Sequence, residues 1–283
     1  MKSFSILYTI FFLTGCSNYG QLTFMTKLPK AIKENSGIVY YGNDKAWFIE
    51  DHGNDDVIYQ VGFNGDLLKE LRVKNAKNND WEDLTQDEEG NIYIADIGNN
   101  NNKRKDLRIY KIPNPETESG DKIDAEVIKF SYPDQKKFPP KKSNLIYDSE
   151  AIFYRNNFLY IITKNRSEPF SGKALIYKIP SKKGTYTAKL IGEFTPCETA
   201  GICQITSADI SPDGKKIVLL GYGFLWIFTN FTDDDFTKGT LETIDLGATT
   251  QIESVCFKNN TTLLISDEER GNTGRNLYSF TLK

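Results

Sequence analysis

The sequence predicts an all-β protein, a five-bladed β-propeller, on three observations. An apolar-aromatic-any-apolar element recurs five times, a strongly apolar strand precedes each copy, and no stretch carries sustained helical periodicity. The recurring element reads Ile58-Tyr59-Gln60-Val61, Ile109-Tyr110-Lys111-Ile112, Ile176-Tyr177-Lys178-Ile179, Leu225-Trp226-Ile227-Phe228 and Leu277-Tyr278-Ser279-Phe280.

The strands ahead of it are Ala46-Trp47-Phe48-Ile49, Ile92-Tyr93-Ile94-Ala95, Leu159-Tyr160-Ile161-Ile162, Ile217-Val218-Leu219-Leu220 and Leu263-Leu264-Ile265. Runs this apolar suit strands buried on both faces. Ahead of each again is a shorter strand opening at Ser36, Glu82, Glu150, Ser207 or Glu253, and turn signals such as Ser211-Pro212-Asp213-Gly214 divide it from its neighbour. A fourth strand follows in four repeats, at 67–73, 126–132, 188–194 and 240–246, whereas the fifth repeat ends at Lys283 without one. The unused strand at 21–28 is the natural supplier, which closes the ring and removes its free edges. The blades are therefore expected to be four-stranded and antiparallel. A sixth blade within 113–147 is the alternative, although the apolar residues there suffice for one strand. The Lys- and Pro-rich stretches around 113–121 and 133–144 read as surface loops.

Residues 21–283 thus form one propeller domain, and the residues before it read as an address. Lys2 precedes an apolar run over 6–13, too short to span a bilayer, and Leu13-Thr14-Gly15-Cys16 follows. That tetrapeptide resembles a bacterial lipobox. The resemblance implies a lipoprotein signal peptide at 1–15, palmitate or similar acylation of Cys16, and a lipidated tether at 16–20. The expected location is the bacterial cell envelope, held to a membrane through lipid; Ser17 after the cysteine favours the outer membrane. Formal net charge is -3, so no global field draws the chain to nucleic acid. Partners must be read from local sites.

Beyond Cys16 the cysteines are Cys197, Cys203 and Cys256. In an oxidising envelope Cys197 and Cys203 can close a small disulfide loop or stay free, since sequence spacing does not fix geometry. His52 is the sole histidine, which argues against histidine-ligated zinc and a Ser-His-Asp relay, and a turn role is expected for it.

In a propeller the first strand of each blade lines the central channel, so residues repeated at its start converge on one axis. The expected ring is Ser36, Glu82, Glu150, Ser207 and Glu253. Three uncompensated carboxylates repel one another and call for positive charge. An all-oxygen donor set from several strands suits Ca2+; hydration or neighbouring lysines are the other means of balance. Within Thr206-Ser207-Ala208-Asp209 the register can also slide, turning Asp209 inward. Loops after the second strands share this face. They bring Asp51, Asp96, Lys164, Arg166, Arg270 and Arg275 to one rim, where the four cations are candidates for an anionic ligand. Trp81 is expected to pack between blades.

The order Ser36, Glu82, Glu150, Ser207, Glu253, with Ser266-Asp267-Glu268-Glu269 leading to Arg275, is similar to the axial calcium ligands of calcium-activated apyrases, secreted five-bladed propellers. Asp80-Trp81-Glu82-Asp83 and Ala95-Asp96-Ile97-Gly98-Asn99-Asn100 look more like secreted bacterial propellers, some loosely related to phytase-like proteins. Two functions follow as expectations. One is a lipid-anchored binding module with an axial calcium, presenting its rim to a protein, glycan or phosphorylated small molecule. The other is a calcium-dependent hydrolase of phosphoric esters or anhydrides. There Glu82, Glu150 and Glu253 would hold the metal, Arg166 and Arg270 would neutralise charge, and Asp96 or Asp51 would be the base.

Overall fold

Each repeat folds as an antiparallel meander, and the computed structural model, which describes residues 19–283, sets five of them around one axis. Blade 1 comprises Asn35–Tyr40, Lys45–Glu50, Val57–Gly62 and Leu67–Lys74. Blade 2 comprises Trp81–Gln86, Ile92–Asp96, Arg108–Ile112 and Glu126–Ser131. Blade 3 comprises Asp148–Arg155, Phe158–Lys164, Ala174–Pro180 and Lys189–Phe194. Blade 4 comprises Ile205–Ile210, Ile217–Gly221, Phe224–Thr229 and Thr240–Asp245. Blade 5 takes Ile252–Phe257, Thr262–Asp267 and Asn276–Thr281 from the C-terminus and Thr23–Lys27 from the N-terminus. Phe24 pairs with Tyr278 and Lys27 with Asn276, so the leftover strand closes the ring. No sixth blade forms among the described residues. Residues 1–18, with Cys16 and the signal reading, lie outside them.

The second strands are buried almost throughout, as their apolar runs require. Cores form between blades rather than within them. Trp47, Ile49 and Leu71 of blade 1 pack with Trp81, Ile94 and Tyr110 of blade 2, and Phe153 and Tyr160 of blade 3 with Trp226 and Phe228 of blade 4. Each such aliphatic or phenyl group contributes about 1.5–3 kcal/mol on leaving water. Trp81 is fully buried, with its ring nitrogen donating to the Lys77 carbonyl at 3.2 Å, which is the packing role expected.

The insertions do more than loop over the surface. Lys122–Asp124 adds in parallel to the outer strand of blade 1, and Gly184–Thr187 adds in parallel to that of blade 2. Two blades therefore gain a fifth strand that covers an otherwise open edge. A 3-10 turn at Pro115–Thr117 holds Glu116 against blade 1, where Oε1 accepts from Trp47 Nε1 at 2.7 Å and Gln60 Nε2 at 2.5 Å.

Candidate functional site at the propeller axis

The first strands neighbour one another around the axis, and each carries one irregularity in its pairing with the second strand. The register jumps between Asn35 and Gly37, Trp81 and Asp83, Ser149 and Ala151, Ile205 and Ser207, and Ile252 and Ser254. The skipped residues are Ser36, Glu82, Glu150, Thr206 and Glu253. A bulge leaves one residue out of the ladder and re-aims its side chain. Here all five line one axial cavity of about 220 Å3.

Four of the five ring positions thus coincide with the sequence expectation, and the fourth blade is corrected by one residue. Thr206 holds the bulge, whereas Ser207 takes the next layer inward, with Gly37, Asp83, Ala151 and Ser254. A signal for this was present: in every repeat the bulged residue is followed by a short side chain and then an apolar one, and Ser207-Ala208 fits that pair. Asp209 lies toward another opening, with Gln86, Tyr154 and Phe257. Its Oδ2 accepts from the Phe257 amide at 2.7 Å, and burial raises its pKa to about 7.

The cavity wall holds the carboxylates of Asp51, Glu82, Glu150, Glu253 and Glu268 against two cations, Lys164 and Arg166. Both cations are committed. Arg166 donates to Asp148 Oδ2 and Glu150 Oε1, each at 2.7 Å, and Lys164 pairs with Glu150. Lys164 also reaches the Tyr222 hydroxyl at 3.1 Å, which donates to Glu253 Oε1 at 2.8 Å. Gln251 Nε2 bridges Glu253 at 2.9 Å and Glu268 at 2.5 Å.

Glu82 differs from its neighbours. It is 6% exposed, and among the described residues no hydrogen bond or ion pair reaches its carboxylate. Burial, then the Glu150, Asp51 and Asp80 carboxylates, push its pKa well above the usual range. Burial and nearby acids also raise Glu150 to about 8 despite its two cations, and Glu268 to about 9. An oxygen-lined cavity with an orphaned buried carboxylate fits a hard divalent cation.

Two of the sequence motifs build one side of the site. From Asp80-Trp81-Glu82-Asp83 come two acids of the site, a packing indole and an axial carboxylate. From the other motif, Asn99 donates its amide to Asp148 Oδ1 at 2.7 Å, and Asn100 lines the cavity. A Cβ on Gly98 would overlap Glu82 Oε1 and Asp80 Oδ2.

Other expected rim residues go elsewhere. Asp96 does not line the cavity: it is fully buried, accepting from Asp80 N at 3.0 Å, Asn79 Nδ2 at 2.8 Å and Arg104 Nη2 at 2.9 Å. Those bonds make it an anchor for the loop before Glu82 and leave it no access to a substrate. Arg270 is exposed and lines a separate groove with Ile202 and Gly223, a groove that shares Tyr222 and Gln251 with the axial cavity. Arg275 is buried, donating to Glu269 Oε2 at 2.9 Å, and faces neither space. Asp51 does line the cavity, beside exposed His52, whose Nδ1 sits 2.5 Å from the Asn79 carbonyl. Cys197 and Cys203 are joined, with Cα atoms 5.3 Å apart, and Cys256 is free and buried. Asp80, Asp148 and Glu268 were not singled out as ligands by sequence. The first two stand outside the repeated ring position, and Glu268 reads as one rim acid among several.

No family model and no curated protein sequence matches the chain. Among solved structures, it is similar to the PQQ-bound aldose sugar dehydrogenase of Streptomyces coelicolor, at 10% identity and a TM-score of 0.50, over 92% of this chain and 98% of that one. At that identity the likeness carries the propeller architecture alone.

Proposed function

We infer that the protein is a lipid-anchored binding module of the bacterial cell envelope, in which a calcium ion at the propeller axis meets an anionic group of its partner. The observation that carries this reading is Glu82, a buried carboxylate without a hydrogen bond on a wall where acids outnumber cations. Glu82, Glu150 and Glu253 would supply carboxylate oxygens, Ser36 and Thr206 hydroxyls, and the open side of the cavity a position for the partner. Lys164 and Arg166 are spent on Glu150 and Asp148, so no cation of the wall is left over to clamp a transferring phosphoryl group. That favours binding over turnover.

Support for the anchor is the apolar run closed by Leu13-Thr14-Gly15-Cys16. Two or three acyl chains give durable attachment at roughly 0.8 kcal/mol per buried methylene.

One observation keeps hydrolysis in view: Asp51 stands on the cavity wall beside Glu82, where a base for a metal-bound water would stand. The deciding experiment is calcium titration of the chelator-stripped protein by calorimetry, with release of phosphate from nucleotides, pyrophosphate and phytate measured in parallel. Calcium binding that Glu82→Gln abolishes, without turnover, upholds the binding module. Turnover lost in Glu82→Gln replaces it with the hydrolase, and absence of calcium binding ends both.

A further inference from the structure

Beside the axial ring lies a second acidic group on different elements. Asp51 follows the second strand of blade 1, and Asp80 precedes the first strand of blade 2. One oxygen each from Asp51, Asp80 and Glu82 lie within 4.8 Å of one another. The same holds for Glu82, Asp148 and Glu150, so Glu82 belongs to both groups.

The two groups are balanced very differently. Arg166 and Lys164 already neutralise Asp148 and Glu150. Among the described residues the Asp51, Asp80 and Glu82 group has one ion-pair partner within 4.0 Å, His52, whose Nδ1 stands 3.7 Å from Asp80 on an exposed ring, while Arg104, Lys164 and Arg166 act on it from farther off. Asp80 is 8% exposed, and no hydrogen bond reaches its carboxylate among the described residues. Two adjacent buried carboxylates without donors are costly when both are charged, a cost that a bound cation or a retained proton relieves.

The backbone is built to bring them together. Asp80 is fixed through both of its backbone polar groups, its amide donating to Asp96 Oδ1 at 3.0 Å and its carbonyl accepting from the Gly98 amide at 3.2 Å. Asp96 is itself held by Arg104 at 2.9 Å. Gly98 has no side chain where Glu82 Oε1 and Asp80 Oδ2 approach it, so both carboxylates can hold these neighbouring positions. This gives a role to the pair of fully buried Asp96 and half-buried Arg104, which do not line the axial cavity: they position Asp80.

We propose that Asp51, Asp80 and Glu82 form a second calcium site, so that the axis holds two ions sharing the Glu82 carboxylate. The donors are all oxygen and come from a loop, a strand entry and a bulge, a set that suits the flexible coordination of calcium better than the rigid octahedron of magnesium. The proposal rests on the axial-calcium reading above and deepens it: two neighbouring cations give an anionic partner a bridged position that one ion cannot.

The test is calcium stoichiometry by calorimetry on the full soluble domain, comparing wild type with Asp80→Asn and Asp51→Asn. Folding of each variant is checked by circular dichroism and melting in chelator. The expected result is two calcium ions per chain in wild type, one in each variant, and loss of both high-affinity events in Glu82→Gln. Should Asp80→Asn fail to fold, Asp51→Asn alone carries the comparison. A single calcium in wild type that persists in the variants overturns the second site and leaves the axial ion standing. No calcium in wild type overturns both.

Discussion

The Ser207 hydroxyl donates to Asp83 Oδ1 at 3.1 Å although 124 residues separate them. Asp83 projects into the channel one layer below the bulge ring, where Oδ2 also accepts from the amides of Ile152 at 3.0 Å and Ala208 at 3.3 Å. One carboxylate of blade 2 thereby ties the inner strands of blades 3 and 4. Ser207 in turn accepts from the Val255 amide of blade 5 at 3.1 Å. The layer beneath the cavity is a polar knot joining four blades, and it holds in register the bulges above it.

Asp83→Ala is therefore expected to lower unfolding stability by about 3 kcal/mol, because buried amides of two other blades lose their acceptor. Asp83→Asn, which keeps an acceptor oxygen, should cost less. Urea unfolding of both variants checks this, and equal midpoints for wild type and Asp83→Ala would remove the knot from the account of stability.

Gly98→Ala should separate fold from site. A methyl there overlaps Glu82 Oε1 and Asp80 Oδ2 and must displace at least one of them. Calcium affinity is expected to fall at least about tenfold, the scale on which disturbed support around a metal lowers affinity. Secondary structure should be unchanged, because Gly98 lies outside the strands. Calorimetry with a circular dichroism control reads both, and undiminished affinity would detach the glycine from ion binding.

The calcium-free protein should become less stable as pH rises. Burial and neighbouring acids raise Asp80 to about 7, Glu150 to about 8 and Glu268 to about 9. A carboxyl whose folded-state pKa is raised keeps its proton after the unfolded chain has released its own. Between about pH 4.5 and 9 the native state therefore holds more protons, and stability declines across that window. From pH 5.5 to 8 in chelator Asp80 alone contributes a loss on the order of 2 kcal/mol, or about 4–8 °C in melting temperature, and Glu150 and Glu268 add to it in the same direction. Calcium should offset the loss at pH 8 and act weakly at pH 5.5, where protons compete for the same oxygens. A chelated protein that melts higher at pH 8 than at pH 5.5 contradicts the electrostatic picture of the cavity.

Much of this architecture was legible in the chain because a propeller repeats its signals. The Ile58-Tyr59-Gln60-Val61 element and its copies mark third strands, and the absence of a fourth strand after Phe280 foretold closure by Thr23–Lys27. Lys122–Asp124 and Gly184–Thr187 escaped notice because a three- or four-residue parallel edge strand carries no periodicity to detect. Within the site, Glu82, Glu150 and Glu253 were legible as repeat-equivalent acids. Asp80 and Asp148 were not: their place depends on how Asp96 and Asn99 fold their loops, which is tertiary information. Asp96 and Arg275 read as rim residues by position, yet each is consumed by a local partner, Arg104 and Glu269 respectively.

The bulge alignment in blade 4 yields the sharpest test, because Thr206 and Ser207 are adjacent, both hydroxylated, and assigned opposite roles. If Ser207 belongs to the lower layer, Ser207→Ala removes the bond to Asp83 and the acceptor of the Val255 amide, both buried. The expected cost is about 1–3 kcal/mol of stability in chelator, with calcium affinity within about twofold of wild type. If instead Ser207 faced the ion, the same change would spare the stability of the chelated protein and weaken calcium binding. Thr206→Ser supplies the control. It keeps the hydroxyl that lines the cavity and donates to the Ile252 carbonyl at 3.2 Å, so both stability and affinity should stay near wild type. Paired unfolding and calorimetry on these two variants read whether the unpaired residue of the fourth inner strand is position 206 or 207, and with it whether the five bulges form one ring.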